Sequence, residues 1–118
     1  MKNNTSNAAI EVEINNNYYL LKCSEDWNLK NLSHVISQFN NALITVNDKS
    51  KVTLDISSVN KFDSAGIILL LKYAEIFKKI TRDVEIIGAN NKQKRMLTMF
   101  RESAEYSDTQ ITDKHYIF

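Results

Sequence analysis

Ile10, Val12 and Ile14 alternate with Glu11 and Glu13, a period of two that predicts a strand with one buried face. Asn15-Asn16-Asn17 marks a turn, because asparagine tolerates left-handed backbone angles. The aromatic and aliphatic residues 18–23 predict a second strand, paired antiparallel with the first. The period then changes. Leu29, Leu32, Val35, Ile36, Phe39, Ala42 and Leu43 fall at helical spacings, with Asn28 as N-cap and with Trp27 and Leu32 placed to staple the first turn. After a polar connection, Val52, Leu54 and Ile56 predict a third strand, residues 57–62 a short loop and residues 64–80 a second helix. Residues 84–87 predict another strand, ended by Gly88. Residues 91 to about 101 predict a third helix with Met96, Leu97 and Phe100 as its core contacts, and Ile111 with residues 116–118 a last strand. The order β-β-α-β-α-β-α implies an α/β fold, a mixed sheet of four to five strands with helices packed against it.

At 118 residues the chain has room for one hydrophobic core and not for two. Residues 1–7 read as a disordered polar tail and residues 8–118 as a single domain. A composition of 43% hydrophobic and 25% charged residues excludes disordered and collagen-like classes. The net charge of +1 argues against nucleic acid as a partner, since neutralising many phosphates takes a basic excess. Lys92, Lys94 and Arg95 are read as a solvated helix face.

No signal-peptide pattern is visible, and the longest nearly apolar run, residues 65–71, falls far short of the roughly 20 residues that cross a bilayer. The expectation is a cytoplasmic chain that meets a membrane only indirectly. Its apolar ending, His115-Tyr116-Ile117-Phe118, fits a final strand or the point where a longer protein continues. Two glycines leave no Gly-rich phosphate loop. The lone Cys23 lies in an apolar run and is expected to be reduced and buried. His34 and His115 have no metal-site spacing, so no metal or cofactor is expected. Asp55 and Asp63 are candidates for a meeting of two carboxylates, but strand-end and cap roles account for both, and no catalysis is expected.

The chemistry concentrates where Leu54-Asp55-Ile56-Ser57 leads into Asp63-Ser64-Ala65-Gly66 and an aliphatic helix. Asp63 or Ser64 can cap that helix, and an aspartate there suits the positive end of the helix dipole. On a helical wheel of about 100° per residue, Leu69, Leu70, Tyr73, Ala74, Ile76, Phe77 and Ile80 gather on the side predicted to face the sheet. Lys72, Glu75, Lys78 and Lys79 gather on the other side. Ile67, Ile68 and Leu71 fall on or beside the solvent side, and Ser64 projects the same way. The expectation is a small apolar patch rimmed by charge, the form of a protein-binding surface.

These same residues resemble the signature of STAS domains, named for sulfate transporters and anti-sigma factor antagonists, and the resemblance covers roughly residues 10–101. It implies the SpoIIAA-like fold with helices on one face of the sheet, and a non-catalytic regulatory module that binds a partner through the start of the second helix. The residues implied in that contact are Asp63, Ser64, Ala65, Gly66, Ile67, Ile68, Leu71 and Glu75. In anti-sigma factor antagonists the serine matching Ser64 is phosphorylated by the partner kinase, which releases the complex. This chain departs from the antagonist pattern: Asp26-Trp27-Asn28-Leu29 stands where antagonists carry a Gly-x-Leu-Asp step. That segment, with Gly88-Ala89 ahead of Lys92-Gln93-Lys94-Arg95, is more similar to STAS domains of Mla-type phospholipid ABC transporters, found as a separate subunit or at the N-terminus of the permease. The implied partner is then the transporter's ATPase subunit. The alternative is an anti-sigma factor kinase acting on Ser64.

Overall fold

A hairpin opens the fold: β1 (Ala9–Asn15) pairs antiparallel with β2 (Tyr18–Trp27), and Asn16, with φ of 59°, makes the left-handed turn between them. The computed structural model describes residues 7–111, with side chains described to residue 102. A 3-10 turn (Leu29–Asn31) follows, then α1 (Ser33–Thr45), β3 (Lys51–Phe62), α2 (Ser64–Ile80), β4 (Asp83–Ile87) and α3 (Asn91–Ile111). The strands lie in the order β1-β2-β3-β4, with β2, β3 and β4 parallel. Because both β-α-β crossovers step the same way across the sheet, right-handed connection carries α1 and α2 to one face. The predicted class holds: an α/β fold of four mixed strands with helices on one side.

That covered face holds the core. Leu21, Cys23, Val52, Leu54 and Ile56 point from the sheet toward Val35 and Phe39 of α1, Ile67, Leu70 and Phe77 of α2, and Leu97 of α3. Phe39 stacks on Tyr73 with centroids 4.4 Å apart and meets Trp27 and Phe77 edge-on. This aromatic chain ties β2, α1 and α2 together. The Tyr73 hydroxyl keeps a partner, donating to Asn40 Oδ1 at 2.8 Å. The other face of the sheet carries Glu11, Glu13, Lys22, Asp55 and Glu85.

Several boundaries differ from expectation. Residues 57–62 are strand, not loop: β3 continues alongside residues 24–27 of β2 through two register shifts. Leu29 is exposed rather than a core contact, because the 3-10 turn sets residues 29–31 out of phase with α1. Ile111 is helical, not strand; residues 101–111 contain neither glycine nor proline to stop α3. α3 also starts firmly, through a reciprocal cap in which Asn90 N–H donates to Gln93 Oε1 (2.9 Å) and Gln93 N–H to Asn90 Oδ1 (2.8 Å). Of the expected tail, residues 1–6 lie outside the described residues, whereas Asn7 bridges to Asp26. The expected strand at residues 116–118 also lies outside them. Among the described residues no helix is long and apolar enough to cross a membrane.

Cys23 is buried, its thiol directed at the Leu21 carbonyl. Burial, with a smaller push from the Asp55 carboxylate, raises its pKa from 9.0 to about 12. Two results are expected. A thiol reagent labels the native protein only as fast as the core opens. The protonated thiol's stabilising contribution is complete below about pH 9 and is lost as pH rises toward about 12, since the unfolded chain ionises first. At pH 10 the loss is on the order of 1 kcal/mol. Urea unfolding from pH 8 to 10 checks this: Cys23→Ala is expected to flatten the decline by that amount, and equal slopes contradict it.

Candidate functional site

The start of α2 is built around Asp63, whose polar groups are all engaged. Its Oδ1 accepts from Gly66 N–H at 3.0 Å and its Oδ2 from Leu29 N–H at 3.3 Å. Its own N–H donates to the Trp27 carbonyl at 3.2 Å, and its carbonyl accepts from Ile67 N–H at 3.0 Å. One carboxylate therefore caps α2 and fixes the 3-10 turn that precedes α1. Gly66 completes the junction. A Cβ there would lie 2.3 Å from the Trp27 carbonyl oxygen and 3.0 Å from the Phe62 ring, so only glycine lets the end of β2 touch the helix.

With the junction fixed, the first two turns of α2 sort their side chains sharply. Gly66, Ile67 and Leu70 are buried. Ser64 is exposed, and among the described residues its hydroxyl has no hydrogen-bond partner. Ile68, one turn on, is 52% exposed; Ala65 and Leu71 are half-buried; Lys72 and Glu75 are exposed. The wheel thus misplaced Ile67. It faces the core, because the buried line runs through Ile67, Leu70, Ala74 and Phe77, whereas Leu69 and Ile76, counted as sheet-facing, are only half-buried and Ile80 is exposed. Ile68 and Leu71 keep a solvent-facing surface, with Ser64 on the same side and Lys72 and Glu75 around them.

Sequence reasoning missed Leu29. It is 76% exposed, and its backbone N–H is bound by the Asp63 carboxylate, which sets it beside the start of α2. Asp55 and Asp63 do not form a shared site. Asp55 Oδ1 accepts from Ser57 N–H at 3.0 Å, serving the first register shift of β3, while Asp63 serves the helix cap. Among the described residues no cluster of His, Cys, Asp and Glu is arranged to hold a metal. The site offers an exposed hydroxyl, exposed aliphatic side chains and a charged rim on a rigid helix start.

Comparison with known proteins agrees with the fold. The family model described as "Mlab, STAS domain" matches residues 11–103. A solved structure, an uncharacterized protein of the DUF3478 family with a SpoIIAA-like fold from Shewanella loihica PV-4, matches with a TM-score of 0.54 at 18% identity, over 90% of this chain and 84% of its own. At that identity the likeness shows the fold. No curated protein matches.

Proposed function

The chain belongs to the STAS domain family, and from that premise we propose that it is the regulatory STAS domain of a phospholipid-transporting ABC system, binding the ATPase subunit through the start of α2. Domains of this family mediate protein–protein contacts, and their fold is generally non-catalytic. The observation that carries the reading is the exposure of Ile68 beside Ser64, on a helix start held by Asp63 and Gly66. An aliphatic group raised from a rigid, charge-rimmed surface gains most from burial in a partner's pocket. Leu29 widens the contact, and Asp63, Ala65 and Gly66 act as its frame. The match to a family described by the Mlab name supports the transporter setting.

The test is binding to the cognate ATPase subunit, measured by calorimetry. Ile68→Asp is expected to weaken the complex by at least about tenfold, because it buries a carboxylate in place of an aliphatic group. The circular dichroism spectrum should stay unchanged, as befits an exposed position. Full affinity with Ile68→Asp overturns the reading.

A second reading, an anti-sigma factor antagonist, is favoured by one observation: the Ser64 hydroxyl is exposed and unpaired among the described residues. Phosphorylation there adds nearly two negative charges next to the Asp63 carboxylate and at the edge of an apolar contact. Incubation with the cognate kinase-like anti-sigma factor and ATP separates the two. Phosphate on Ser64 with release of a complex selects the antagonist, and no phosphate with no complex removes it.

A further inference from the structure

The sheet has a second surface that the α2 reading does not use. β1 is an edge strand, and the structure shows which way its backbone points. Ile10 N–H donates to Gln38 Oε1 at 2.7 Å, and the Ile10 carbonyl accepts from Gln38 Nε2 at 2.6 Å. Both main-chain groups of Ile10 therefore point away from β2, toward α1. In an antiparallel pair this orientation recurs every second residue, so the same groups of Val12 and Ile14 point outward too. The Gln38 amide acts as a one-residue strand that closes the edge at Ile10. Among the described residues no hydrogen bond closes it at Val12 or Ile14, and the turn at Asn16 and Asn17 ends it.

The side chains of that open stretch have a definite chemistry. Val12 and Ile14 share the core-side face with Ile10, yet are 38% and 56% exposed. The C-terminal end of α1 lies beside them, since the Thr45 carbonyl accepts from the hydroxyl of Tyr19, the cross-strand partner of Ile14. Ile44, 80% exposed, precedes Thr45. On the opposite face stand Glu11 and Glu13, with the Lys22 ammonium held 2.7 Å from Glu13. Native proteins guard such edges by cover, bulges, short length or charged side chains; at residues 11–15 the guard is charge, carried by Glu11 and Glu13.

We propose that residues 11–15 of β1 accept an extended segment of a partner protein, added as a fifth strand, in which aliphatic and basic side chains alternate. The aliphatic ones lie over Val12 and Ile14, and the basic ones pair with Glu11 and Glu13. A second copy of this chain fits poorly. A self-pairing that uses Val12 and Ile14 of both copies sets Glu13 opposite Glu13 of the other, and like charges directly opposed are destabilising. Shifting the register one way meets Gln38, and the other way meets the Asn16 turn.

The probe is an acetylated, amidated peptide of sequence Lys-Val-Arg-Ile-Lys at millimolar concentration, with Glu-Val-Glu-Ile-Glu as control, followed by amide NMR. The basic peptide is expected to shift residues 11–15 and to slow exchange of the Val12 and Ile14 amides by about tenfold while leaving the Ile10 amide unchanged. Ile14→Lys should weaken this response by about tenfold. Glu11→Lys, at an exposed position, should remove most of the preference for the basic peptide and keeps the test readable if Ile14→Lys does not fold. The proposal is overturned by no response at these amides, by equal responses to both peptides, or by a dimer in sedimentation equilibrium that protects the same amides.

Discussion

Replacing Gly66 with alanine is expected to destabilise the domain by roughly 3 kcal/mol or more, against what helix propensity alone implies. Gly66 lies inside α2, where alanine is normally preferred by about 1 kcal/mol. The contacts reverse the sign. The new Cβ would sit 2.3 Å from the Trp27 carbonyl oxygen and 3.0 Å from both the Trp27 Cβ and the Phe62 ring. A backbone oxygen does not swing aside as a flexible side chain does, so the end of β2 and the start of α2 must separate. The same carbonyl accepts the Asp63 N–H, so separation also loosens the cap. Denaturant unfolding followed by the fluorescence of the buried Trp27 checks this. An unchanged or higher midpoint would mean that the junction yields more readily than its packing allows.

The α2 segment was the most legible part of the chain, and its failure was instructive. A cap at Asp63 or Ser64 and the aliphatic run after it predict a helix over 64–80, the bounds observed, with Asp63 as the cap. The pattern gave Leu69, Ile76 and Ile80 the same weight as Leu70, Ala74 and Phe77, but Leu69 and Ile76 are only half-buried and Ile80 is 42% exposed. At about 100° per residue the buried arc is therefore rotated toward Ile67, which turns inward, while Ile68 remains outside.

β3 failed for a different reason. Its buried positions run Val52, Leu54, Ile56 and then Val59, with Phe62 half-buried. The spacing changes from two to three at the register shifts after Lys22 and Glu25. Each shift adds a residue to β3, and the period-2 signature disappears from a segment that is still paired. The backbone shows the cause: Asp55 Oδ1 takes the Ser57 N–H, and Glu25 on the partner strand has φ of 71°. No periodicity argument reads that from one sequence, although Asp55 with Ser57 and Ser58 just beyond Ile56 is a combination prone to such local bonds.

These two misreadings meet at one place. The distorted ends of β2 and β3 bring Trp27 opposite Phe62, and this pair delivers the chain to Asp63 and the exposed turn of α2. A regular strand pairing would aim the helix start differently. Bulges commonly re-aim side chains beside functional sites, and here they set the direction in which Ser64 and Ile68 are presented.

Trp27→Ala is expected to cost about 3–5 kcal/mol, a large fraction of the roughly 5–15 kcal/mol that holds a domain of this size. The indole is fully buried, lies edge-on to Phe39 at 6.0 Å and tilted against Phe62 at 5.7 Å, and donates its N–H to the Ser24 carbonyl at 3.0 Å. Alanine removes all three contacts and leaves a cavity between β2 and α1. Trp27→Phe is the graded control. It keeps a ring against Phe39 and Phe62 but strands the Ser24 carbonyl, for a loss of about 1–2 kcal/mol. Far-UV circular dichroism in urea reads both variants, since Trp27 is the sole tryptophan and its fluorescence goes with it. The ordering Ala, then Phe, then the native protein in rising midpoint tests whether the indole acts as packing and hydrogen-bond donor together. If Ala and Phe fall equally, the hydrogen bond to Ser24 dominates. If Phe matches the native protein, only the ring matters, and the direction of the α2 start rests on the backbone contacts of Trp27 with Asp63 and Gly66.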